Sequence, residues 1–331
     1  MDAQGILYLS NDDVKKVLDL RRAIEITEQA LRDHSEGRVI WSTPEDLAIK
    51  PEQGWQSWVT GCALATEPVA GFRIRSIKAA GGSRDASRPP RGPRRILILS
   101  DREGGEIRAI MDEDWCHAVR TAAAAAVAMR VLARKESSVM AMLGAGDTAR
   151  AAVPVMAEAF ALKEIRVTSR TPASRESYAK DVGKAYGLNV RSVESTEAAL
   201  DGADIVVSAT TTSTPFVKDS WLAKGITVYS IGKNQEMESA VYKHADKFVV
   251  DSWLHCKNKS DMERMIKENY LSEKDLYAEL PELLSGKKRG READSERIFI
   301  RAIGLVNQDI AMANTIYESA MEKGIGTRLP Y

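Results

Sequence analysis

The residues best suited to chemistry lie between positions 137 and 171, where an apolar run, a glycine turn, a helix-forming segment and a second apolar run follow in order. Val139 to Leu143 leads straight into Gly144-Ala145-Gly146, with Ala149 as the third small residue. This is the G-x-G-x-x-G/A spacing of a dinucleotide turn. The first glycine permits the tight bend and the second lets the backbone approach a pyrophosphate. The small third residue lets helix and strand pack closely. The pyrophosphate would rest on the free N–H groups where the helix begins, at Gly146, Asp147 and Thr148, since the helix dipole favours negative charge there. The spacing is common by itself. Its place between two strands is what points to a nucleotide.

The end of the second strand indicates which nucleotide. Sites specific for NAD usually close that strand with Asp or Glu, which binds the ribose 2′-hydroxyl. Here it closes on Thr168-Ser169-Arg170-Thr171, without a carboxylate. Ser169 and Thr171 can donate to a 2′-phosphate and the guanidinium of Arg170 can cover it, so the expectation is NADP in preference to NAD. The alternative for Arg170 is a solvated loop residue. A second concentration of charge holds Arg73, Arg75, Lys78, Arg84, Arg88, Arg91, Arg94 and Arg95 against a single acid, Asp85. Arg73 and Arg75 stand two apart on a strand and share a face. Residues 84–95 read equally well as a solvated basic loop.

These groups need a scaffold. The chain has 331 residues, enough for two domains and a large core. Lys+Arg and Asp+Glu balance at 47 each, which argues against nucleic acid or a membrane surface as partner. Cys62, Cys116 and Cys256 lie far apart, a pattern that suits a reducing cytoplasm and forms neither a disulfide framework nor a metal motif. The N-terminus lacks a signal-peptide layout, and the alanine-rich run 122–129 is too short to cross a bilayer. The expectation is a soluble cytoplasmic protein with no metal. His34, His244 and His255 have no evident partner in the sequence.

In order along the chain, Ser10 and Asp13 form a capping box, and helical spacing then runs to Gly37. Pro44 and residues 51–54 read as loops, 58–65 and 69–77 as strands, and 96–100 with 106–111 as a hairpin. The first part is therefore expected to be a helix with an antiparallel sheet. Residues 112–133 read as one long helix crossing into the nucleotide domain. Residues 203–208, 226–231 and 247–250 read as buried parallel strands alternating with helices, the pattern of a doubly wound sheet. Ligands gather at the carboxyl ends of such strands. That places Ala209, Thr210 and Thr211 after one strand, and Ile231, Gly232 and Asn234 after another, near the cofactor. Pro154 falls inside the first helix of the nucleotide domain, at a cost of about 3 kcal/mol if it lies beyond the first turn. Residues 296–301 read as a short strand and 304–323 as a helix stopped by Gly324.

Several segments together resemble the ornithine cyclodeaminase/μ-crystallin family. They are Arg120-Thr121-Ala122-Ala123, Gly144-Ala145-Gly146, and Ala203-Asp204-Ile205-Val206-Val207-Ser208-Ala209-Thr210. The C-terminal run adds Ile303-Gly304-Leu305, Gln308-Asp309-Ile310-Ala311, Tyr317, Ala320 and Gly324-Ile325-Gly326. The resemblance spans nearly the whole chain. It implies an α/β fold with a Rossmann domain, a doubly wound parallel sheet over residues 121–304. It also implies a split α+β domain, residues 1–120 with 305–331, that binds substrate and forms a homodimer. The family's shared chemistry is hydride exchange between a nicotinamide and the carbon of an amine or imine. Its activities include ornithine cyclodeamination, alanine dehydrogenation and reduction of cyclic ketimines. The resemblance further implies Thr121 among the cofactor contacts and Arg120 as the grip on a substrate carboxylate, a task that suits a guanidinium fork. An ordinary interdomain salt bridge is the alternative for Arg120.

Departures from the family pattern bear on the reaction. Arg73 stands where the family carries a catalytic Lys, and a guanidinium is a poor proton shuttle. Asn234 stands where cyclodeaminases carry an acid, and it can orient an amine or water but cannot take a proton as a carboxylate does. Glu45 or Asp46 falls where an arginine is expected. These changes speak against an ornithine or lysine cyclodeaminase-type lyase. The basic face of Arg73 and Arg75 suggests a substrate with more than one acidic group, such as an imino-dicarboxylate or an oxo-acid. Lys78 can supply a proton if its strand ends early enough to turn it inward, and His117, one turn before Arg120, is the other candidate, though a lone helical His is more often structural. The expectation is an NADP-dependent oxidoreductase acting on the C=N or CH–NH bond of an amino or imino acid. Arg120 with Arg73 or Arg75 would hold the carboxylate, and Lys78 or water would give the proton. A rival of another class is a non-catalytic, NADP-binding, μ-crystallin-like ligand carrier.

Overall fold

In the computed structural model the chain divides into two compact units, Met1–Arg120 with Leu305–Tyr331, and Thr121–Gly304. The residues described are 5–51, 55–78, 95–212, 214–232 and 234–330, with 77 and 78 described by backbone alone. Arg84, Arg88, Arg91 and Arg94 of the basic stretch lie outside them, as does the side chain of Lys78.

The first unit opens with the strand Ile6–Leu9 and a capped helix, Asn11–Val17. Ser10 Oγ accepts from the Asp13 N–H at 3.2 Å, and the Asp13 carboxylate accepts from the Ser10 N–H at 3.2 Å. The expected single helix to Gly37 is in fact two. Leu18 leaves helical geometry, and Asp19 caps a second helix, Leu20–Ser35, by accepting from Arg22 N at 2.7 Å. A side chain able to bond the backbone ahead of it favours a cap over helix interior. The second helix buries Ala23, Ile24, Thr27, Ala30 and Leu31, a stripe at helical spacing.

Seven strands form this unit's sheet, in the order Thr327–Leu329, Ile6–Leu9, Ile107–Asp112, Arg95–Asp101, Val69–Lys78, Trp55–Leu64, Val39–Ile49. The sheet is mixed rather than antiparallel, because Ile6–Leu9 runs parallel to Ile107–Asp112. Pro44, expected in a loop, lies within the edge strand Val39–Ile49, at a register shift between Trp41 and Asp46. An edge strand with a bulge is where a sheet tolerates proline. The closing helix Val306–Lys323 lies on the strands Trp55–Leu64 and Val69–Lys78. Gly71 makes that approach possible: a Cβ there would lie 2.7 Å from Ile310 Cδ1 and 2.8 Å from the Ile98 carbonyl oxygen. Two residues along the strand stands Arg73, one residue before Ile310 stands Asp309, and the contact sets both.

The unit boundary after Arg120 falls within the helix Asp114–Leu132, whose alanines from Ala122 to Ala126 are buried. The second unit is an eight-stranded, wholly parallel sheet. Its order is Ala278–Glu279, Lys247–Val250, Ile298–Ala302, Thr227–Ile231, Ile205–Ser208, Val139–Leu143, Glu164–Thr168, Val190–Ser192. Val139–Leu143 pairs with Glu164–Thr168 on one side and Ile205–Ser208 on the other, so the winding reverses there. That is the topological switch point at which open α/β sheets bind ligands. Pro154 sits beyond the first turn of the helix Asp147–Ala159 and is buried.

Candidate functional site

In the second unit the glycine turn leaves the carboxyl end of Val139–Leu143. Gly144 has φ +116°, and a Cβ there would lie 2.5 Å from the Ala209 carbonyl oxygen. No other residue fits both conditions. The turn is stitched to its neighbours by Gly144 N donating to Thr168 O and Ala209 N donating to Leu143 O, each at 2.9 Å. Gly146 is the N-cap of Asp147–Ala159 and provides no side-chain cap, and a Cβ on it would meet nothing within 4 Å. Ala145 is half-buried, Asp147 exposed, Thr148 half-buried and Ala149 fully buried. The helix therefore starts with N–H groups that no capping side chain takes and open space in front of Gly146, the setting an anion requires.

At the end of the next strand the three expected phosphate contacts differ. Ser169 Oγ donates to the Thr171 carbonyl at 3.2 Å, so its proton is already engaged. Thr171 Oγ1 accepts from Ser174 N at 3.4 Å, capping Pro172–Tyr186, and keeps its own proton to give. Arg170 is exposed, and Arg175, which sequence reasoning did not include, reaches Ser169 O at 3.3 Å.

Across the switch point, Glu236 organises two loops. It is 1% exposed, and its Oε1 accepts from Thr210 N at 2.7 Å and Thr210 Oγ1 at 2.6 Å, while Oε2 accepts from Ser230 Oγ at 2.9 Å. Burial raises its pKa, and the hydrogen bonds from Thr210 and Ser230 work against that rise. Thr211 is exposed beyond it, and Ile231 and Gly232 are half-buried, with Gly232 N donating to Ala302 O at 3.0 Å. Asn234, also half-buried, offers its carbonyl to Arg301 Nη2 at 2.8 Å. Arg301 is itself fully buried and paired with Asp261 at 2.6 Å. Thr121 is buried in the Asp114–Leu132 helix.

The first unit holds a different arrangement. Arg73 and Arg120, both buried, face two fully buried acids, Glu113 and Asp309. Arg73 Nη2 lies 2.6 Å from Glu113 Oε1 and Arg73 Nη1 3.3 Å from Asp309 Oδ2, while Arg120 Nε donates to Asp309 Oδ1 at 2.7 Å. His117 Nδ1 lies 2.8 Å from Arg120 Nη2 and 3.1 Å from Arg73 Nη2. Burial works against ionising Asp309, but Arg120 and Arg73 outweigh it and hold its carboxyl far below the usual range. Burial pushes the Glu113 carboxyl up to about 8 against the pull of Arg73, and the Asp309 carboxylate adds to the rise. Both cations of this cluster thus lie against acids within it, Asp309 ionised and Glu113 mostly protonated at neutral pH.

Arg73 and Arg75 share a strand face, yet they are not an equivalent pair. Arg73 is engaged by Glu113, Asp309 and His117. Arg75, half-buried, stacks over its cross-strand neighbour Trp58 with Cζ 5.6 Å from the ring centroid, and its Nε has no hydrogen-bond partner. Burial, and then the charge of Arg73, lowers its pKa. The strand does not end early to turn Lys78 inward: it runs through Lys78, which pairs with Trp55. Glu113, His117 and Asp309 have ligand atoms within 4.8 Å of one another. Guanidiniums already occupy both carboxylates, and a metal cation would be forced against them, so this donor set does not suit a metal. Sequence reasoning missed Glu113, Asp309 and Glu236. Glu113 had one available signal, its place four residues before His117 across the helix start.

A family model described as the Ornithine cyclodeaminase/mu-crystallin family matches residues 7–324. The chain belongs to this family. Among curated members it is 26% identical over 331 residues to a Delta(1)-pyrroline-2-carboxylate reductase of Bacillus cereus, covering 98% of this chain and 100% of that one. It is 28% identical over 335 residues to the N-((2S)-2-amino-2-carboxyethyl)-L-glutamate dehydrogenase of Staphylococcus aureus, covering 98% of each. The solved structure of Thermococcus litoralis Delta(1)-pyrroline-2-carboxylate reductase in complex with NADH and L-proline superposes with a TM-score of 0.89 at 28% identity, over 98% of this chain and 100% of that one. These relatives are reductases and dehydrogenases of imino and amino acids. Among the described residues no helix is long and apolar enough to cross a membrane.

Proposed function

We propose that this protein is a nicotinamide-dependent oxidoreductase that reduces the C=N bond of an imino acid, or oxidises the matching CH–NH bond. The observation that carries this reading is the full-length likeness to an imine reductase holding NADH and L-proline. The uncapped glycine turn at the switch point supports it. The unit Thr121–Gly304 takes the dinucleotide, and the unit made of Met1–Arg120 and Leu305–Tyr331 takes the substrate.

The nicotinamide supplies the hydride, and the chain binds and orients. Backbone N–H groups at Gly146, Asp147 and Thr148 hold the pyrophosphate, with Ala145 and Gly144 shaping the turn. Thr121, Ala209, Thr210, Thr211, Ile231 and Gly232 line the cofactor, the threonine loop being braced by Glu236. Arg170, with Thr171 and Arg175 beside it, favours the 2′-phosphate of NADP over NAD. Arg120 and Arg75 attract the acid groups of the substrate, Arg75 being the cation of its face that no acid of the cluster matches. A dicarboxylic imino acid is the class this charge favours. Asn234 orients the amine nitrogen or a water. Arg73 keeps its proton at neutral pH, so the proton for nitrogen comes from water.

The outer face of the first unit's sheet exposes Ile40, Leu47, Ile49, Trp55 and Phe72, an apolar surface suited to a second copy of the chain. The three cysteines are free and buried, consistent with a reducing cytoplasm. The test is turnover of NADPH and NADH with cyclic imino acids, imino-dicarboxylates, and 2-oxo acids plus ammonia or methylamine. Oxidation of cofactor dependent on an imine bears the reading out. Ammonia release from ornithine with no net cofactor oxidation points to a lyase, and tight binding without turnover to a carrier.

A further inference from the structure

The two acids of the first unit's cluster are not alike. Asp309 Oδ1 accepts from Arg120 Nε at 2.7 Å and its Oδ2 from Arg73 Nη1 at 3.3 Å, the donors an ionised carboxylate requires. Glu113 stands between the strand Ile107–Asp112 and the helix Asp114–Leu132, fully buried. Neither of its oxygens accepts a hydrogen bond from the described residues. Arg73 Nη2 comes within 2.6 Å of Oε1, but off the direction of its N–H bonds. A buried carboxylate without donors is costly, whereas a protonated carboxyl can give its hydrogen to a neighbour. The Asp309 carboxylate is within reach to accept it, oxygens of the two groups lying within 4.8 Å of one another.

Such a pair keeps one proton between two carboxyls, because adjacent like charges resist ionising together. Burial, opposed by Arg73 and assisted by Asp309, accordingly pushes the Glu113 carboxyl up to about 8. Among the described residues, Arg73 and Arg75 face Glu113 from the strand Val69–Lys78 and Asp309 from the closing helix. Cys116, His117 and Arg120 face it from the helix that follows. Burial holds the Cys116 thiol far up and the His117 imidazole well down, so both are neutral at pH 7. Within the cluster the guanidiniums of Arg73 and Arg120 and the Asp309 carboxylate then leave one positive charge. What surface the cluster keeps is guanidinium or imidazole: 7% of the Arg73 side chain, 3% of Arg120 and 20% of His117, against none of either acid.

We propose that Glu113 and Asp309 share one proton, and that this proton sets the cluster's surplus charge and with it the ligand, a single carboxylate group drawn to the two guanidiniums. The inference rests on the reading that the first unit takes the substrate's acid group. It adds that one such group belongs to this cluster, a second falling to Arg75. With Glu113 ionised the cluster is neutral and the attraction is lost. An anion that binds to the ionised form must therefore bring a proton in, and once bound it holds that proton on Glu113. Glu113 acts through Arg73 and Arg120 and is a positioning residue. Its proton stays within the carboxyl pair and does not pass to the reacting nitrogen.

Two measurements test this. In protein labelled with 13C at the glutamate carboxyls, the Glu113 signal is the one lost in Glu113→Gln. It should titrate near pH 8, where an ordinary glutamate is fully ionised. Titration in the ordinary carboxylate range overturns the shared proton. With oxidised cofactor bound, calorimetry of succinate binding in two buffers of different ionisation enthalpy counts the protons taken up. About one proton per succinate is expected at about pH 9 and almost none at about pH 7, with affinity about tenfold weaker at the higher pH. Glu113→Gln keeps the neutral shape and a donor for Asp309, so it should bind without proton uptake and with the same affinity at both pH values. Equal affinity of the parent at both, proton uptake that survives in Glu113→Gln, or no succinate binding at either pH overturns the proposal. Should Glu113→Gln not fold, the proton count of the parent decides alone. If succinate behaves as expected and no imine is reduced, the proposed function fails and the proton-linked receptor stands.

Discussion

Glu113 and Glu236 are both buried, and burial raises the pKa of both, yet their surroundings differ in kind. Glu236 is enclosed by neutral donors: a backbone N–H and a hydroxyl from Thr210, and a hydroxyl from Ser230. Its work is architectural, bracing the loops that follow two parallel strands. Neither oxygen of Glu113 has a hydrogen bond of good geometry, and its partner is the guanidinium of Arg73 at 2.6 Å. Where neighbours are neutral, the environment stays the same when a ligand arrives. Where neighbours are charges, an incoming anion changes the surroundings of all of them. The second unit is thus held by geometry and the first by charge.

The sharpest way to break this contrast is to remove a charge from the first unit. Asp309→Asn leaves Arg73 and Arg120 with one acid between them and should lose about 3–5 kcal/mol of stability, read by urea unfolding. A loss below about 1 kcal/mol would mean the cluster is not held by ion pairing. The corresponding test of geometry is Gly144→Ala. The positive φ and the 2.5 Å approach to Ala209 O require the turn to move, with strain of about 1–3 kcal/mol. NAD(P)H affinity, followed by fluorescence titration, should fall by tenfold or more, and unchanged affinity would show that the turn does not shape the site.

A smaller effect separates charge from geometry inside the second unit. Arg170→Ala should reduce the preference for NADPH over NADH by about tenfold, with NADH affinity hardly altered. Equal loss for both cofactors would return Arg170 to the role of a solvated residue. The smallest effect is a slope. The folded value for Glu113, about 8, exceeds the ordinary 4.5, so its stabilising contribution is complete below 4.5 and lost as pH rises through about 8. Asp309, shifted downward, contributes stability above the usual carboxylate range and loses it only in strong acid. Glu113→Gln should therefore gain on the parent as pH rises from 4.5 to about 8, in unfolding curves taken across that window. A constant difference would place Glu113 permanently ionised.

The same contrast explains what could be read from the sequence. The glycine turn and its strands lie within a few dozen consecutive residues, and each local choice serves the same βαβ unit, so the turn and the strands around it were legible. The cluster of the first unit draws on positions 73, 113, 117, 120 and 309, and Asp309 reaches Arg120 across 189 residues of chain. Arg73 and Arg75 read as one anion-binding pair because alternation along a strand shows which face a residue shares, not which acids arrive opposite. The break at Leu18-Asp19 was missed because apolar spacing continued across it while a cap formed beneath. The strand Ile6–Leu9, four residues paired in parallel to Ile107–Asp112, carries too short a pattern to announce its partner.

Hydride transfer to the carbon of a C=N bond is measured most directly with an isotope. Reduction of an imino acid with NADPH deuterated at C4 of the nicotinamide should place deuterium on the product carbon that bears nitrogen, one atom per cofactor oxidised. Product formed without deuterium at that carbon, or cofactor oxidised without an amine product, would contradict the assignment.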